Sequence, residues 1–287
     1  MHFASYNVRG RASFGIASGD GIIDLRLRLA PRYTSMLDVL RAGALDEVTA
    51  AARGVRADFP LSEVELLPPV PGGEKILCIG VNYANRGAEL TNAGGNEDAK
   101  YPSMFFKPPN GLVAHGQPLL RPPESEQLEY EGEIALVIGK TARRISKNQA
   151  LDHVAGITLA NEGTIRDWIR HGRFNVTQGK SWDGSGSIGP WMTTGVDLSK
   201  PLHIICKING QVTQDDTTAS MIFGFTDILS YVSTFMTLKP GDIILTGTPT
   251  KIGQAEGGRK WLKAGDVFEM TVPEVGTLRN EVIDEKP

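Results

Sequence analysis

Residues 128–140 read LEYEGEIALVIGK, a segment in which glutamates alternate before a continuous apolar run. Because side chains alternate between the two faces of a strand, Glu131 and Glu133 are expected on one face, and Ile134 and Leu136 on the other. One interpretation is a half-exposed strand with a charged face. The other is a site for a hard divalent cation, since Mg²⁺ prefers oxygen ligands. The segment alone leaves both interpretations open.

The composition bounds the class of protein. A chain of 287 residues with 40% hydrophobic and 22% charged residues can form one large core, or one core and a small appended domain. The formal net charge of −3 offers no basic patch, so a nucleic-acid partner is not expected. No apolar run approaches the ~20 residues of a membrane span, and no signal segment opens the chain, which predicts a cytoplasmic location without a membrane partner. Cys78 and Cys206 lie in apolar runs and are predicted to be reduced core thiols.

The first 70 residues are predicted to form a small unit. An Asp-Gly pair at 20–21 indicates a hairpin, and residues 35–41 have helical spacing. The sequence PPVPGG at 68–73 then marks a boundary.

The rest of the chain mixes strands and helices without a βαβ rhythm, which favours a strand-dominated α+β body. A capping-box pattern formed by Ser146 and Gln149 is expected to begin a helix. Strands are predicted at 75–81, 156–161, 243–246, 267–272 and 277–283, and helices at 150–155, 164–171 and 227–236.

Several short motifs occur in one order after the boundary. They are NY at 82–83, FFKP at 105–108, YEGE at 130–133, NE at 161–162, RD at 166–167, GKSWD at 179–183 and TGTP at 246–249. Together they resemble the fumarylacetoacetate hydrolase superfamily. The resemblance implies a small N-terminal α/β domain (1–70) and a catalytic domain with a mixed β-roll (71–287). Residues 217–219 and 235–238 lean toward the branch of 2-hydroxyhepta-2,4-diene-1,7-dioate isomerases and 5-carboxymethyl-2-oxo-hex-3-ene-1,7-dioate decarboxylases.

The resemblance implies a Mg²⁺ or Mn²⁺ site formed by three carboxylates. Glu131, Glu133 and Glu162 match the ligand positions, although most members carry Asp where this chain has Glu162. The additional methylene lengthens the reach of this side chain, and a surface residue at a loop start is the alternative interpretation. Three protein carboxylates would leave about three octahedral positions for water and a 2-oxo acid.

Further site residues follow from the same motifs. Lys180 matches the active-site lysine of the family, and Lys107 is expected to bind substrate. Thr248 either presents its hydroxyl and backbone N–H to a substrate carboxylate or belongs to a plain turn. Arg166 is expected to form a structural ion pair with Asp167 near the metal, or else to contact the substrate.

One departure from the family bears on the reaction. Hydrolytic relatives place a His and a Glu three residues apart to activate water, and this chain has Arg86 and Glu89 there. Arginine is a poor general base, but it can bind a second substrate carboxylate. A solvated loop arginine is the alternative. Glu89 or a water is the candidate proton donor. His171 is either a substitute base or a solvated loop histidine.

These features predict a metal-dependent isomerase or decarboxylase of a 2-oxo or 2-hydroxydienoic (di)acid in aromatic-compound catabolism. The first alternative is a C–C bond hydrolase of an acylpyruvate or diketo acid. The second is a catalytically silent fold that binds a metal or an oxo acid. The expected partners are a small oxo-acid substrate and a second copy of the chain, in a homodimer.

Overall fold

The computed structural model describes residues 1–84, 99–169, 171–172, 175–252 and 261–286. Most of its regular structure is strand, which confirms the strand-dominated α+β class. The strands are β1 His2–Val8, β2 Arg11–Ser18, β3 Gly21–Asp24, β4 Phe59–Pro60, β5 Glu65–Leu66, β6 Ile76–Gly80, β7 Ser103–Phe106, β8 Leu112–Ala114, β9 Leu119–Arg121, β10 Leu128–Glu129, β11 Gly132–Ile138, β12 Val154–Asn161, β13 Thr164–Ile165, β14 Gly186–Thr193, β15 His203–Ile208, β16 Gln211–Thr217, β17 Ile243–Leu245, β18 Val267–Val272 and β19 Gly276–Asp284.

A large mixed sheet organises the molecule. Its strands follow the order β4-β3-β2-β1-β14-β12-β11-β17-β6-β7, with β5 paired to β1 and β8 paired to β14. β11 is central, because β12 and β17 pair with its two edges and its side chains are buried on both faces. Such a strand needs apolar residues at consecutive positions, which explains the apolar run that follows Glu133.

The main core lies between this sheet and a second, five-stranded sheet of order β16-β15-β18-β19-β9. Ile134, Leu136 and Ile138 of β11 belong to this core, as predicted, and they share it with Phe268 and Met270 of the second sheet. The two cysteines, Cys78 and Cys206, are free and buried, which confirms that prediction.

Among the described residues, the α-helices are few and short. They are α1 Arg26–Leu29, α2 Met36–Ala42, α3 Leu45–Ala51, α4 Thr177–Lys180 and α5 Phe225–Phe235. The predicted helices at 35–41 and 227–236 are confirmed by α2 and α5. No helix within the described ranges is long and apolar enough to cross a membrane.

Three local predictions were wrong. The segment 128–140 is not one strand, because it breaks at residues 130–131 between β10 and β11. Residues 150–155 belong to the 3-10 helix Lys147–His153 and to the start of β12, and Ser146 caps no helix with its side chain. Residues 164–171 begin with β13, which pairs with β10, before the short 3-10 helix Arg166–Trp168.

The N-terminal residues join the main sheet. β2 and β3 form the predicted hairpin, and β1 pairs with β14 through Phe3 and Met192. The apolar cluster around α2 also includes Val137 of β11. The N-terminal residues therefore share both sheet and core with the residues that follow, and the boundary near residue 70 stays a prediction.

Candidate active site

Three buried carboxylates converge at the start of β11. Glu131, Glu133 and Glu162 each offer an oxygen, and these oxygens lie within 4.8 Å of one another. The three residues are only 5%, 1% and 1% exposed, respectively. A half-exposed charged strand is therefore the wrong interpretation of 131–133, and a surface loop residue is the wrong interpretation of Glu162.

Backbone hydrogen bonds set the positions of these carboxylates. β11 and β12 pair with Gly132 opposite Asn161, which brings the start of one strand to the end of the other. The Glu162 N–H donates to the Glu131 carbonyl at 2.8 Å, and the Glu131 N–H donates to Asn161 Oδ1 at 2.8 Å. The two ligand-bearing segments are thus fastened to each other.

Glu133 is held from the neighbouring strand end. The Gly247 N–H, just after β17, donates to Glu133 Oε2 at 2.7 Å. Gly247 has φ +101°, and an added Cβ would lie 2.7 Å from the Cβ of Asn82. A glycine is therefore required at this turn for both the backbone conformation and the close approach.

Lys180, at the end of α4, partly neutralises the carboxylates. Its Nζ contacts Glu131 Oε2 and lies 2.8 Å from Glu162 Oε1. Burial by itself would lower the pKa of Lys180, but the charges of Glu131 and Glu162 raise it above the usual range. Lys180 is therefore a charged ammonium at neutral pH.

The remaining negative charge fits a metal cation. Burial, and then the charges of Glu162 and Glu131, raise the pKa of Glu133 well above its ordinary value. Burial is also the main cause of the raised pKa of Glu162, with Glu131 adding to it and Lys180 opposing it. Carboxylates that repel each other in a dry site are stabilised by a hard dication, so this donor set suits Mg²⁺ or Mn²⁺.

Arg166 lies beside the cluster and binds two glutamates. Its Nη2 lies 2.9 Å from Glu131 Oε1, and its guanidinium also contacts Glu129 Oε2. The predicted pair with Asp167 is wrong, because Asp167 instead accepts a hydrogen bond from Ser125 at 2.6 Å. Arg166 and Asp167 lie in the 3-10 helix Arg166–Trp168, and their side chains bind different partners.

Thr248 is buried in the turn after β17, and its Oγ1 accepts a hydrogen bond from Gln214 Nε2 at 2.9 Å. The same Nε2 lies 2.5 Å from the Pro249 carbonyl. The turn is therefore fixed by a side chain of the second sheet. A contact between Thr248 and a substrate carboxylate stays a prediction.

Of the other predicted site residues, Lys107 lies at the site, His171 is exposed, and Arg86 and Glu89 are not described. Lys107 is buried, and its Nζ donates to the Gly163 carbonyl at 3.3 Å and to the Lys180 carbonyl, so in this structure it braces the backbone of the site. Its role in substrate binding stays a prediction. Arg86 and Glu89 lie outside the described residues. His171 is exposed, and its ring packs on Trp168 at 4.2 Å.

Sequence reasoning missed Glu129, Gln214 and Lys251. All three are buried, and Lys251 Nζ contacts Glu129 Oε1. Glu129 belongs to the series of alternating glutamates, and this position could have marked it as a site residue. Its partner Lys251, however, lies 122 positions later. No local pattern indicates that pairing or the contact of Gln214 with Thr248.

Comparison with known proteins decides the family. The model of the fumarylacetoacetate (FAA) hydrolase C-terminal family matches residues 75–283. The chain belongs to this family. It is 34% identical to the mitochondrial oxaloacetate tautomerase of Rattus norvegicus over 271 residues, which are 92% of this chain and 85% of that protein.

Two solved structures are similar to this protein over the whole of both chains, with 100% of each covered. One is a probable 2-hydroxyhepta-2,4-diene-1,7-dioate isomerase from Mycobacterium abscessus, with a TM-score of 0.80 and 30% identity. The other is a maleylpyruvate hydrolase from Sphingobium sp. SYK-6 in complex with manganese(II) and pyruvate, with a TM-score of 0.80 and 26% identity. Fumarylacetoacetate hydrolase relatives of this chain thus include isomerases and hydrolases, so family membership alone leaves the reaction open.

Proposed function

We propose that this protein is a divalent-metal-dependent tautomerase that interconverts the enol and keto forms of a small 2-oxo dicarboxylic acid such as oxaloacetate. The observation that carries the proposal is the buried cluster of Glu131, Glu133 and Glu162, with the Lys180 ammonium in contact with two of its members. The similarity to a protein named oxaloacetate tautomerase supports the choice of reaction.

Glu131, Glu133 and Glu162 would hold Mg²⁺ or Mn²⁺. When bound, such an ion acts as a Lewis acid that favours the enolate form of a 2-oxo acid. The manganese(II) and pyruvate in the related hydrolase structure support this choice of metal and ligand class.

The residues of the chain perform the remaining tasks. Lys180, a buried cation, would donate a hydrogen bond to an oxygen that gains charge in the enolate. Thr248 follows Gly247, whose N–H donates to Glu133, and its hydroxyl, fixed by Gln214, would bind a substrate carboxylate. Tautomerisation moves a proton between oxygen and carbon and needs no attacking water, so it suits a chain with Arg86 in place of the histidine of a hydrolytic dyad. Glu89 stays the predicted proton carrier at the carbon atom.

The charges beside the candidate metal ligands support an anionic substrate. The carboxylates of Glu131, Glu133 and Glu162 would bind the dication, and the cations Lys180 and Arg166 lie against them. A dication together with these two cations favours an anionic ligand over a neutral one.

A C–C bond hydrolase is the second candidate, and the similarity to a maleylpyruvate hydrolase favours it. Hydrolysis would require a base to activate water, and the histidine of the usual dyad is replaced by Arg86. A role in aromatic-compound catabolism, decarboxylation, a cytoplasmic location and a homodimer stay predictions.

The test is a tautomerase assay on metal-stripped protein resupplied with Mg²⁺ or Mn²⁺. Loss of the oxaloacetate enol is followed by its ultraviolet absorbance, and the keto form by reduction with excess malate dehydrogenase and NADH. We expect metal-dependent acceleration over the metal-only blank, with no release of pyruvate. The Glu133→Gln variant should lose this acceleration, and Glu281→Gln, on an exposed strand position, should keep it.

Two outcomes would contradict the proposal. Enol loss no faster than the blank, with metal bound, would exclude oxaloacetate tautomerisation. Stoichiometric pyruvate from an acylpyruvate, with no effect on oxaloacetate, would assign the chain to the hydrolases.

A further inference from the structure

A chain of alternating charges leads away from the candidate metal ligands. Lys180 contacts Glu131, Glu131 lies 2.9 Å from Arg166, Arg166 contacts Glu129, and Glu129 contacts Lys251. The Glu129 and Lys251 side chains are each 1% exposed. Glu129 lies outside the cluster of candidate metal ligands that Glu131, Glu133 and Glu162 form.

Arg166 links the two parts of this series of charges, because it binds both Glu131 and Glu129. Its fork of N–H donors is divided between Glu131 Oε1 and Glu129 Oε2. A guanidinium that binds a metal ligand competes with the metal for the charge of that ligand. A stronger ion pair between Glu129 and Arg166 therefore weakens the ion pair between Arg166 and Glu131.

Lys251 lies at the end of this series of alternating charges, beyond Glu129. Its ammonium contacts Glu129 Oε1 and lies 4.6 Å from the centre of the Tyr130 ring. By contacting Glu129, it reduces the negative charge that Glu129 presents to Arg166. Lys251 follows Thr248 by three residues, so the same contact fastens the turn that carries Thr248 to the segment that carries Glu131.

We propose that Glu129 and Lys251 are positioning residues that set how Arg166 is shared between Glu129 and Glu131, and thereby tune the affinity of the site for its metal. The inference rests on the metal site of the proposed function. It assigns the two residues no contact with the substrate.

The proposal predicts opposite effects on metal binding. In Glu129→Gln, Arg166 is left to Glu131, and the dissociation constant for Mn²⁺ should rise about tenfold, as is usual when a partner of a ligand is removed. In Lys251→Met, less of the charge of Glu129 is compensated, so Glu129 draws Arg166 away from Glu131, and Mn²⁺ should bind several-fold more tightly. Lys251→Arg, which keeps the charge, should bind Mn²⁺ nearly as the wild type does.

These effects are measured by titration calorimetry on metal-stripped protein, with melting temperatures recorded in parallel. A merely structural ion pair would lower the melting temperature of both variants and weaken binding in both. Lys75→Met is the matched control, because it removes a lysine that lies 2.8 Å from the buried Asp242 in another part of the sheet. It should leave the Mn²⁺ affinity unchanged.

A double-mutant cycle tests the role of Arg166. If the effect passes through Arg166, Glu129→Gln should have little further effect on Mn²⁺ affinity in an Arg166→Met background. A tenfold effect that persists there would show direct electrostatics and overturn the proposal. If Arg166→Met does not fold, Arg166→Lys serves, because an ammonium lacks the fork that binds both carboxylates.

The results separate this inference from the proposed function. A wild-type protein that binds no Mn²⁺ would overturn the metal site and the inference together. Wild-type binding with an unchanged affinity in Glu129→Gln would overturn the inference alone.

Discussion

Replacing Lys180 by Met should destabilise the metal-free protein far more than the metal-bound protein. The Lys180 ammonium contacts Glu131 and lies 2.8 Å from Glu162 Oε1. Without it, three buried carboxylates lie together with less compensating charge. A dication that binds the same carboxylates supplies the missing charge, so Mg²⁺ should restore most of the lost stability.

The size of the effect follows from the geometry. At an effective dielectric constant of about 20, unit charges 2.8 Å apart attract by roughly 6 kcal/mol. The cost of burying the charges offsets part of this, and breaking a buried pair usually costs about 3–5 kcal/mol. At about 2–4 °C per kcal/mol for a chain of this size, the metal-free variant should melt roughly 10 °C below the wild type.

The assay is thermal unfolding with and without saturating Mg²⁺. We expect Mg²⁺ to raise the melting temperature of Lys180→Met by much more than that of the wild type, while tautomerase activity is lost. Lys75→Met, which loses its pair with Asp242, should melt lower both with and without Mg²⁺. If Mg²⁺ stabilises Lys180→Met no more than the wild type, the assumed exchange of the ammonium for the metal is refuted.

Two further predictions concern pH and the Thr248 turn. Burial, together with the charges of neighbouring carboxylates, raises the pKa values of Glu133 and Glu162 in the metal-free protein, so both carboxyls hold protons to a higher pH than usual and metal binding must release them. The affinity for Mg²⁺, measured by calorimetry, should therefore keep rising as the pH is raised above the ordinary range of a glutamate, and an affinity independent of pH would contradict the shifts. Gln214→Leu removes the hydrogen bond that fixes Thr248, worth about 1 kcal/mol, and should lower kcat/KM by about fivefold with an unchanged Mg²⁺ affinity. A parallel loss of Mg²⁺ affinity would contradict a role confined to the turn.

The strands were largely predictable, because alternation and apolar runs are local signals. The helices predicted at 150–155 and 164–171 were wrong for a tertiary reason. Val154 pairs with Ile138, and Thr164 pairs with Glu129. Pairing with a neighbouring strand therefore overrides the local spacing of these residues, which suits a helix.

The candidate site was predictable only in part. The resemblance supplied Glu131, Glu133, Glu162 and Lys180, and the structure brings these four together. The ion pair of Glu129 with Lys251 could not be predicted, because its partners are 122 positions apart and neither carries a spacing signal. Whether such an ion pair is buried also depends on tertiary packing, which cannot be predicted from the composition.

The break between β10 and β11 shows why one wrong prediction bears on function. A continuous strand through 128–140 would commit the Glu131 backbone to a ladder of hydrogen bonds with a neighbouring strand. The break instead leaves its N–H to Asn161 Oδ1 and its carbonyl to the N–H of Glu162. These two bonds hold the ends of β11 and β12 together at the point where both chain segments present carboxylates. The irregularity that local pattern missed is therefore the feature that joins Glu131 and Glu162 in one site, in keeping with the tendency of functional sites to depart from regular structure.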